Sequence, residues 1–167
     1  MNTTGKPSGS SSSGRSAPRP RRAPLVLVDT NALFLPFTGG LGLEEEIGRW
    51  VPGARIAVSQ SVVGELDRLV ARGVPNAVVA RALASRFERV PSEESGDSAL
   101  LAVARRRRAA VVTADRGLRD RLVAAGLTVY IPRVGGRLEP YRRRARSSSS
   151  ATVKNGARLE PVGRRTI

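Results

Sequence analysis

Four acidic side chains stand where this sequence could do chemistry. Asp29 interrupts the run Val26-Leu27-Val28-Asp29-Thr30-Asn31-Ala32-Leu33-Phe34, directly after a short β-branched segment. A carboxylate among buried apolar residues is costly unless it is paired, hydrogen-bonded or bound to a metal. Asp29 is therefore either the cap of the next helix, a place that suits Asp, Thr and Asn alike, or a functional acid at the carboxyl end of a parallel strand, where open α/β folds keep their sites. Glu65 lies one turn into a helical pattern, Asp97 opens another, and Asp115 follows an apolar strand by one residue. Each has a plainer reading as a cap, a turn former or a surface charge. Gathered together, two such carboxylates ~5 Å apart at an effective dielectric of about 20 repel by roughly 3 kcal/mol. A bound divalent cation converts that repulsion into a site. Asn31 and Thr113 lie beside the proposed cluster and are expected to orient a carboxylate or a bound water, or simply to cap.

For the four acids to meet, the elements between them must return each one to the same edge of a sheet. Residues 25–28, 56–59, 87–90, 110–113 and 127–131 read as strands, the last stopped by Pro132. Helical patterns fill 43–50, the stretch around 62–70, 75–86 with Pro75 in its first turn, 98–108 and 116–125. Strands alternating with helices predict a three-layer α/β/α domain over residues 25–135, with a central parallel sheet of four to five strands. Right-handed crossovers then put every strand's carboxyl end on one edge. In the helix after Asp97, Leu100, Leu101 and Ala104 fall 3, 4 and 7 residues on, so Asp97 shares their apolar face. Glu65 and Asp67 flank the apolar stripe of their helix, and the pattern does not choose between them.

Composition narrows the chemistry. The 167 residues contain no Cys and no His. Disulfides, Cys nucleophiles, histidine acid–base catalysis and zinc sites built from Cys or His are excluded. Any metal must be a hard cation held by oxygen, such as Mg²⁺ or Mn²⁺. The net charge of +15 is unevenly placed: +5 over residues 1–24, +3 over 25–135 and +7 over 136–167. The two flanks are rich in Ser, Gly, Pro and Arg and poor in large apolar residues, and they read as disordered basic tails. Such arms suit a polyanion, most often nucleic acid. The rival is composition bias, since 27 Arg stand against 2 Lys. The arms would add affinity that falls steeply with salt, and Arg105 to Arg108 are candidate backbone-holding groups within the domain. With 3 Phe, 2 Tyr and 1 Trp, an aromatic base-stacking platform is not expected. No signal peptide and no apolar stretch long enough to span a membrane is read, and a cytoplasmic location is the expectation.

Four segments in order, V-D-T-N-A-L-F, V-V-G-E-L-D-R-L, G-D-S-A-L-L-A-V-A and V-V-T-A-D-R-G-L-R-D-R-L, resemble the PIN domain. Among its subgroups the chain is most similar to archaeal relatives of PIN nucleases that process small-subunit ribosomal RNA. The resemblance implies a parallel-sheet endoribonuclease that cuts single-stranded or structured RNA with Mg²⁺ or Mn²⁺, leaving a 3′-hydroxyl and a 5′-phosphate. It assigns Asp29, Glu65, Asp97 and Asp115 as metal-holding catalytic acids, with Asn31 and Thr113 as accessory groups. It also implies RNA as substrate, and a second copy or an assembly factor as partner. Some members carry a further acid where Ser98 stands, and some add a zinc ribbon for which this chain has no ligands. Two rival functions share the acids: a toxin-type PIN ribonuclease paired with an antitoxin, and a non-catalytic RNA-binding PIN scaffold in ribosome assembly. A flavodoxin-like binding domain lacks support, because no Gly-rich phosphate loop is present.

Overall fold

The computed structural model describes Met1 and residues 23–142. Of the expected basic arms, 1–24 and 136–167, residues 2–22 and 143–167 lie outside the described residues. Twelve elements follow one another: β1 (Leu25–Val28), α1 (Thr30–Thr38), α2 (Leu43–Trp50), β2 (Arg55–Ser59), α3 (Gln60–Ala71), α4 (Ala77–Ala84), β3 (Glu88–Val90), α5 (Gly96–Arg107), β4 (Ala110–Val112), α6 (Arg116–Ala124), β5 (Val129–Arg133) and β6 (Arg137–Pro140). The sheet runs β3-β2-β1-β4-β5-β6, with the first five strands parallel and β6 antiparallel to β5. Five parallel strands between helices match the three-layer expectation.

The period-2 alternation of each strand builds two cores at once. Val26 and Val28 of β1, Val58 of β2 and Val112 of β4 enter one core with residues of α1 to α4. Leu27, Ala57 and Val111, their neighbours in sequence, point through the sheet into a second core against α5 and α6. The strands buried on both faces explain why they read as continuous apolar runs.

The chain winds outward from β1 to β3, then returns to lay β4 on the other side of β1. The order of connections therefore reverses between β1 and β4, and the crevice at their carboxyl ends is the fold's natural site. A backbone bond seals that junction, Asp29 N–H donating to the Val112 carbonyl at 3.0 Å, and Thr113 N–H ties the end of β4 to Tyr130 of β5 at 3.1 Å.

The sheet is larger than the sequence reading, which began the C-terminal tail at residue 136 and stopped the last strand at Pro132. Residues 137–140 form β6, and β5 runs through Pro132 to Arg133. The Tyr141 N–H donates to the Val129 carbonyl, so along the ladder Pro132↔Leu138 and Tyr130↔Pro140 are the non-hydrogen-bonded pairs. Neither proline breaks a bond to its antiparallel neighbour. Pro132 lies beyond the last paired residue of β4, and Pro140 sits on an edge strand, where proline is tolerated. The hairpin turn needs glycine at Gly136, whose φ is +68° and where a Cβ would stand 3.0 Å from the Gly40 carbonyl oxygen. At the other correction, α4 begins at Ala77 after Asn76 at φ 63°, so Pro75 precedes the helix and does not open it.

The outward N–H and C=O of Leu138 are both taken by α2. Glu46, 4 % exposed, accepts the Leu138 N–H at 2.8 Å, and the Trp50 indole donates to the Leu138 carbonyl at 2.8 Å. These bonds close the outer edge of β6. Glu46→Ala should therefore lower stability by about 1–3 kcal/mol, read by urea unfolding, and shift the fluorescence of Trp50, the only tryptophan. Glu46→Gln keeps an acceptor and should cost less; equal losses in the two variants would contradict the proposed bond.

Candidate active site

Asp29 follows β1 directly and caps α1, so the expected cap stands at the carboxyl end of a parallel strand. Its side chain accepts from Thr30 N–H at 2.8 Å through Oδ1, and from the Thr113 hydroxyl at 2.8 Å through Oδ2. The residue is 8 % exposed. Thr30 reaches onward: its hydroxyl donates to Glu65 Oε2 at 2.6 Å, joining the end of β1 to α3. Thr113, fully buried after β4, accepts the Asp115 N–H at 3.0 Å while donating to Asp29. Asp115 in turn caps α6, accepting Leu118 N–H at 2.6 Å. Two threonines thus string Glu65, Asp29 and Asp115 along the carboxyl edge of the sheet.

Asp97 arrives from the other wall. Helix α5 starts at Gly96, with φ +64°, a backbone conformation that favours glycine. This places Asp97 in the first turn, where the helix dipole favours an acid. Its side chain is half exposed and ion-paired with Arg121 of α6. Asp97 thus stands at the rim and not within the apolar face of Leu100 and Ala104. Glu65, Asp97, Arg68 and Arg72 line one cleft of about 420 Å³ between α3 and the start of α5.

The electrostatics place Asp29 within the field of two of the other acids, Asp97 and Glu65. Burial pushes the Asp29 carboxyl up from 3.8 to about 6, opposed by the hydrogen bonds from Thr113 and Thr30 and reinforced by the charges of Asp97 and Glu65. The donors are carboxylates and hydroxyls without nitrogen or sulfur, a set that fits a hard divalent cation by type and charge. Among the described residues no three acids are drawn into a closed cation cage, and Arg121 occupies the position of a cation at Asp97.

The remaining expected residues divide. Asn31 lies exposed in the first turn of α1 on the same edge. Thr113 has its proton committed to Asp29 and no surface, so it positions the acid and does not face a bound water. Asp67 turns away to Arg81 of α4 at 2.6 Å, which leaves Glu65 as the acid of α3 on the site. Arg105 to Arg108 end α5, whose first turn carries Asp97. At 1.5 Å per residue they lie roughly 12–16 Å away, at the opposite edge of the sheet. Sequence reasoning missed the Thr30 hydroxyl and Arg121. Thr30 was legible only as a capping residue, and nothing local links Arg121 to Asp97, 24 residues before it.

The family model described as "PIN like domain" matches residues 26–134. The solved structure of the PIN domain endonuclease Utp24 superposes with a TM-score of 0.62 at 21% identity, over 71% of this chain and 92% of that one. A domain of a functionally unknown protein from Methanocaldococcus jannaschii DSM 2661 has a TM-score of 0.48 at 18% identity, over 67% of this chain and 93% of that one. No curated protein matches the chain.

The raised pKa of Asp29 sets a pH dependence. Folding raises the pKa, so the folded chain holds this proton more tightly than the unfolded chain. The penalty for ionising Asp29 is absent at pH values below 3.8, grows up to about 6 and is complete above that. A shift of about two units corresponds to about 3 kcal/mol. In EDTA, Asp29→Asn should therefore raise stability to urea at pH 7.5, by about 2–3 kcal/mol, and change it little at pH 3.5. An unaltered midpoint at pH 7.5 would contradict the strained carboxylate.

Proposed function

Because the chain belongs to the PIN like domain family, we propose that it is a divalent-metal-dependent endoribonuclease that hydrolyses RNA phosphodiester bonds in ribosomal RNA processing in the cytoplasm. The observation that carries this reading is the buried carboxylate of Asp29, bonded through Thr30 to Glu65 and through Thr113 to Asp115, with the charge of Asp97 acting on it. Asp29, Glu65, Asp97 and Asp115 would hold Mg²⁺ or Mn²⁺. Such an ion polarises a phosphate and lowers the pKa of an attacking water.

The protein's own part is positioning. Thr113 and the Thr30 N–H fix both oxygens of Asp29, so the acid needs no reorganisation when charge arrives. The Thr30 hydroxyl aims Glu65 along the same edge. Asp97 stands at the mouth, where the scissile phosphate would enter from the cleft between α3 and α5. Asn31, exposed beside Asp29, is the side chain able to meet a water at the edge. With neither His nor Cys in the chain, no covalent protein intermediate is invoked. Utp24, whose fold the chain shares, is a PIN domain endonuclease, which is in keeping with this reading.

The rival of a non-catalytic RNA-binding scaffold has one observation in its favour, the hold of Arg121 on Asp97. That pair is half exposed on both sides, and exposed ion pairs contribute only about 0.2–1 kcal/mol. It should yield to a cation. Arg121→Gln is expected to tighten Mn²⁺ binding up to about fivefold, measured by titration calorimetry without RNA. A variant that binds Mn²⁺ no better than the parent would leave the pair no part in metal binding.

The activity is tested with labelled structured RNA and purified protein in Mg²⁺, Mn²⁺ or EDTA. Cutting should require metal and fall about 100-fold or more in Asp97→Asn. Equal cutting by both proteins would assign the activity to a contaminant. No cutting under any metal would favour the scaffold.

A further inference from the structure

We infer that the cleft running from Glu65 and Asp97 down the flank of α3 is the track for a single-stranded RNA backbone, held by Arg68 and Arg72. The inference rests on the nuclease reading for its direction, since it names how substrate reaches the acids. Glu65, Arg68, Leu69 and Arg72 recur at helical spacing, so they share one face of α3. That face lines the cleft opposite Ser95 and Asp97. Measured along the helix axis, Arg68 lies about 4.5 Å and Arg72 about 10 Å from Glu65. Negative charge at the head of the cleft gives way to positive charge along its wall.

Three arginines on or after neighbouring helices are spent on acids: Arg81 of α4 on Asp67, Arg86 after α4 on Glu44, and Arg121 of α6 on Asp97. Arg68 and Arg72 are exposed and form no ion pair among the described residues. Arg68 is steadied by its own helix, its Nε donating to the Gly64 carbonyl at 3.2 Å, and its terminal nitrogens remain available to a phosphate. Arginine's planar fork suits that acceptor.

The cleft also says what part of RNA it takes. Its volume of about 420 Å³ is that of a small-molecule pocket, room for a nucleotide or two and not for a duplex. No aromatic side chain lines it, so bases find nothing to stack on there. A backbone grip of this kind is tolerant of sequence, and selectivity must come from RNA shape or from a partner.

The test uses the full chain and a fluorescein-labelled single-stranded oligouridylate, with binding in EDTA read by anisotropy across a salt series. Arg68→Gln with Arg72→Gln should weaken binding about tenfold. It should also lower the salt slope by roughly 1.4, because each phosphate left unneutralised on a single strand takes away about 0.7. The charge-matched pair Arg105→Gln with Arg108→Gln, at the far edge, should change neither. With Mg²⁺ or Mn²⁺, the cleft pair should raise KM and leave kcat near its parent value. Unchanged binding in the cleft variant, or equal weakening in both pairs, overturns the track. A parent chain that binds RNA through Arg68 and Arg72 but cuts nothing with either metal overturns the nuclease reading and leaves the track standing. All four positions are exposed or on helix ends, and Gln is a good helix former; unaltered thermal unfolding verifies that both variants fold.

Discussion

A carboxylate held out of water at the end of β1 is the constraint to which the rest of this molecule answers. Asp29 is placed there by the reversal of connections between β1 and β4, which opens a crevice at the carboxyl ends of two central strands. Burial makes its charge expensive, and the fold meets that cost only in part. Thr30 and Thr113 supply two hydrogen bonds to the ionised form, yet Glu65 and Asp97 add repulsion, and the carboxyl remains well above its ordinary range. A fold selected for stability alone would put Asn or Ser at this point. A buried acid with two more acting on it is the combination that marks a candidate site.

The threonines show how little machinery is needed to assemble such a site. Thr30 comes two residues after β1 ends and Thr113 follows β4 directly, so each is delivered by a strand end. Thr30 gives its N–H to Asp29 and its hydroxyl to Glu65 of α3, while the Thr113 hydroxyl donates to Asp29 and accepts the Asp115 N–H at the start of α6. Three of the four acid-bearing segments are thus registered by two threonines that stand at strand ends. Asp97 lacks such a tie and is held by Arg121 alone, at a half-exposed rim. The base of the site is buried and hydrogen-bonded, and its mouth carries a half-exposed ion pair.

How much of this could be read without coordinates depended on whether a residue's neighbours in sequence were also its neighbours in space. The five parallel strands were legible because runs such as Val26-Leu27-Val28 are buried on both faces. Asp29, Asp97 and Asp115 were legible because strand ends and helix starts are local events. Helix α1 showed no periodic pattern, since residues 32–37 are a run without polar breaks that includes Pro36. β6 was missed because Leu138 is its one buried apolar residue, flanked by exposed Arg137 and Glu139; the Gly135-Gly136 turn was the available signal. Glu65 and Asp67 were equivalent on a helical wheel, and only the packing of α4, which brings Arg81 to Asp67, separates them. The row Arg105 to Arg108 was conspicuous in sequence, but a helix carries its two ends to opposite edges of a sheet.

That last geometry reaches beyond the row itself. β1 enters the sheet at Leu25 from the amino edge, and β6, running antiparallel, delivers Pro140 and Tyr141 back to it. The points where residues 2–22 and 143–167 join the domain therefore lie behind the molecule, on the side of Arg105 to Arg108, while the acids open in front. Any polyanion gripped by those segments near their roots would be moored to the rear of the protein, leaving the crevice between β1 and β4 facing outward toward a second stretch of the same strand.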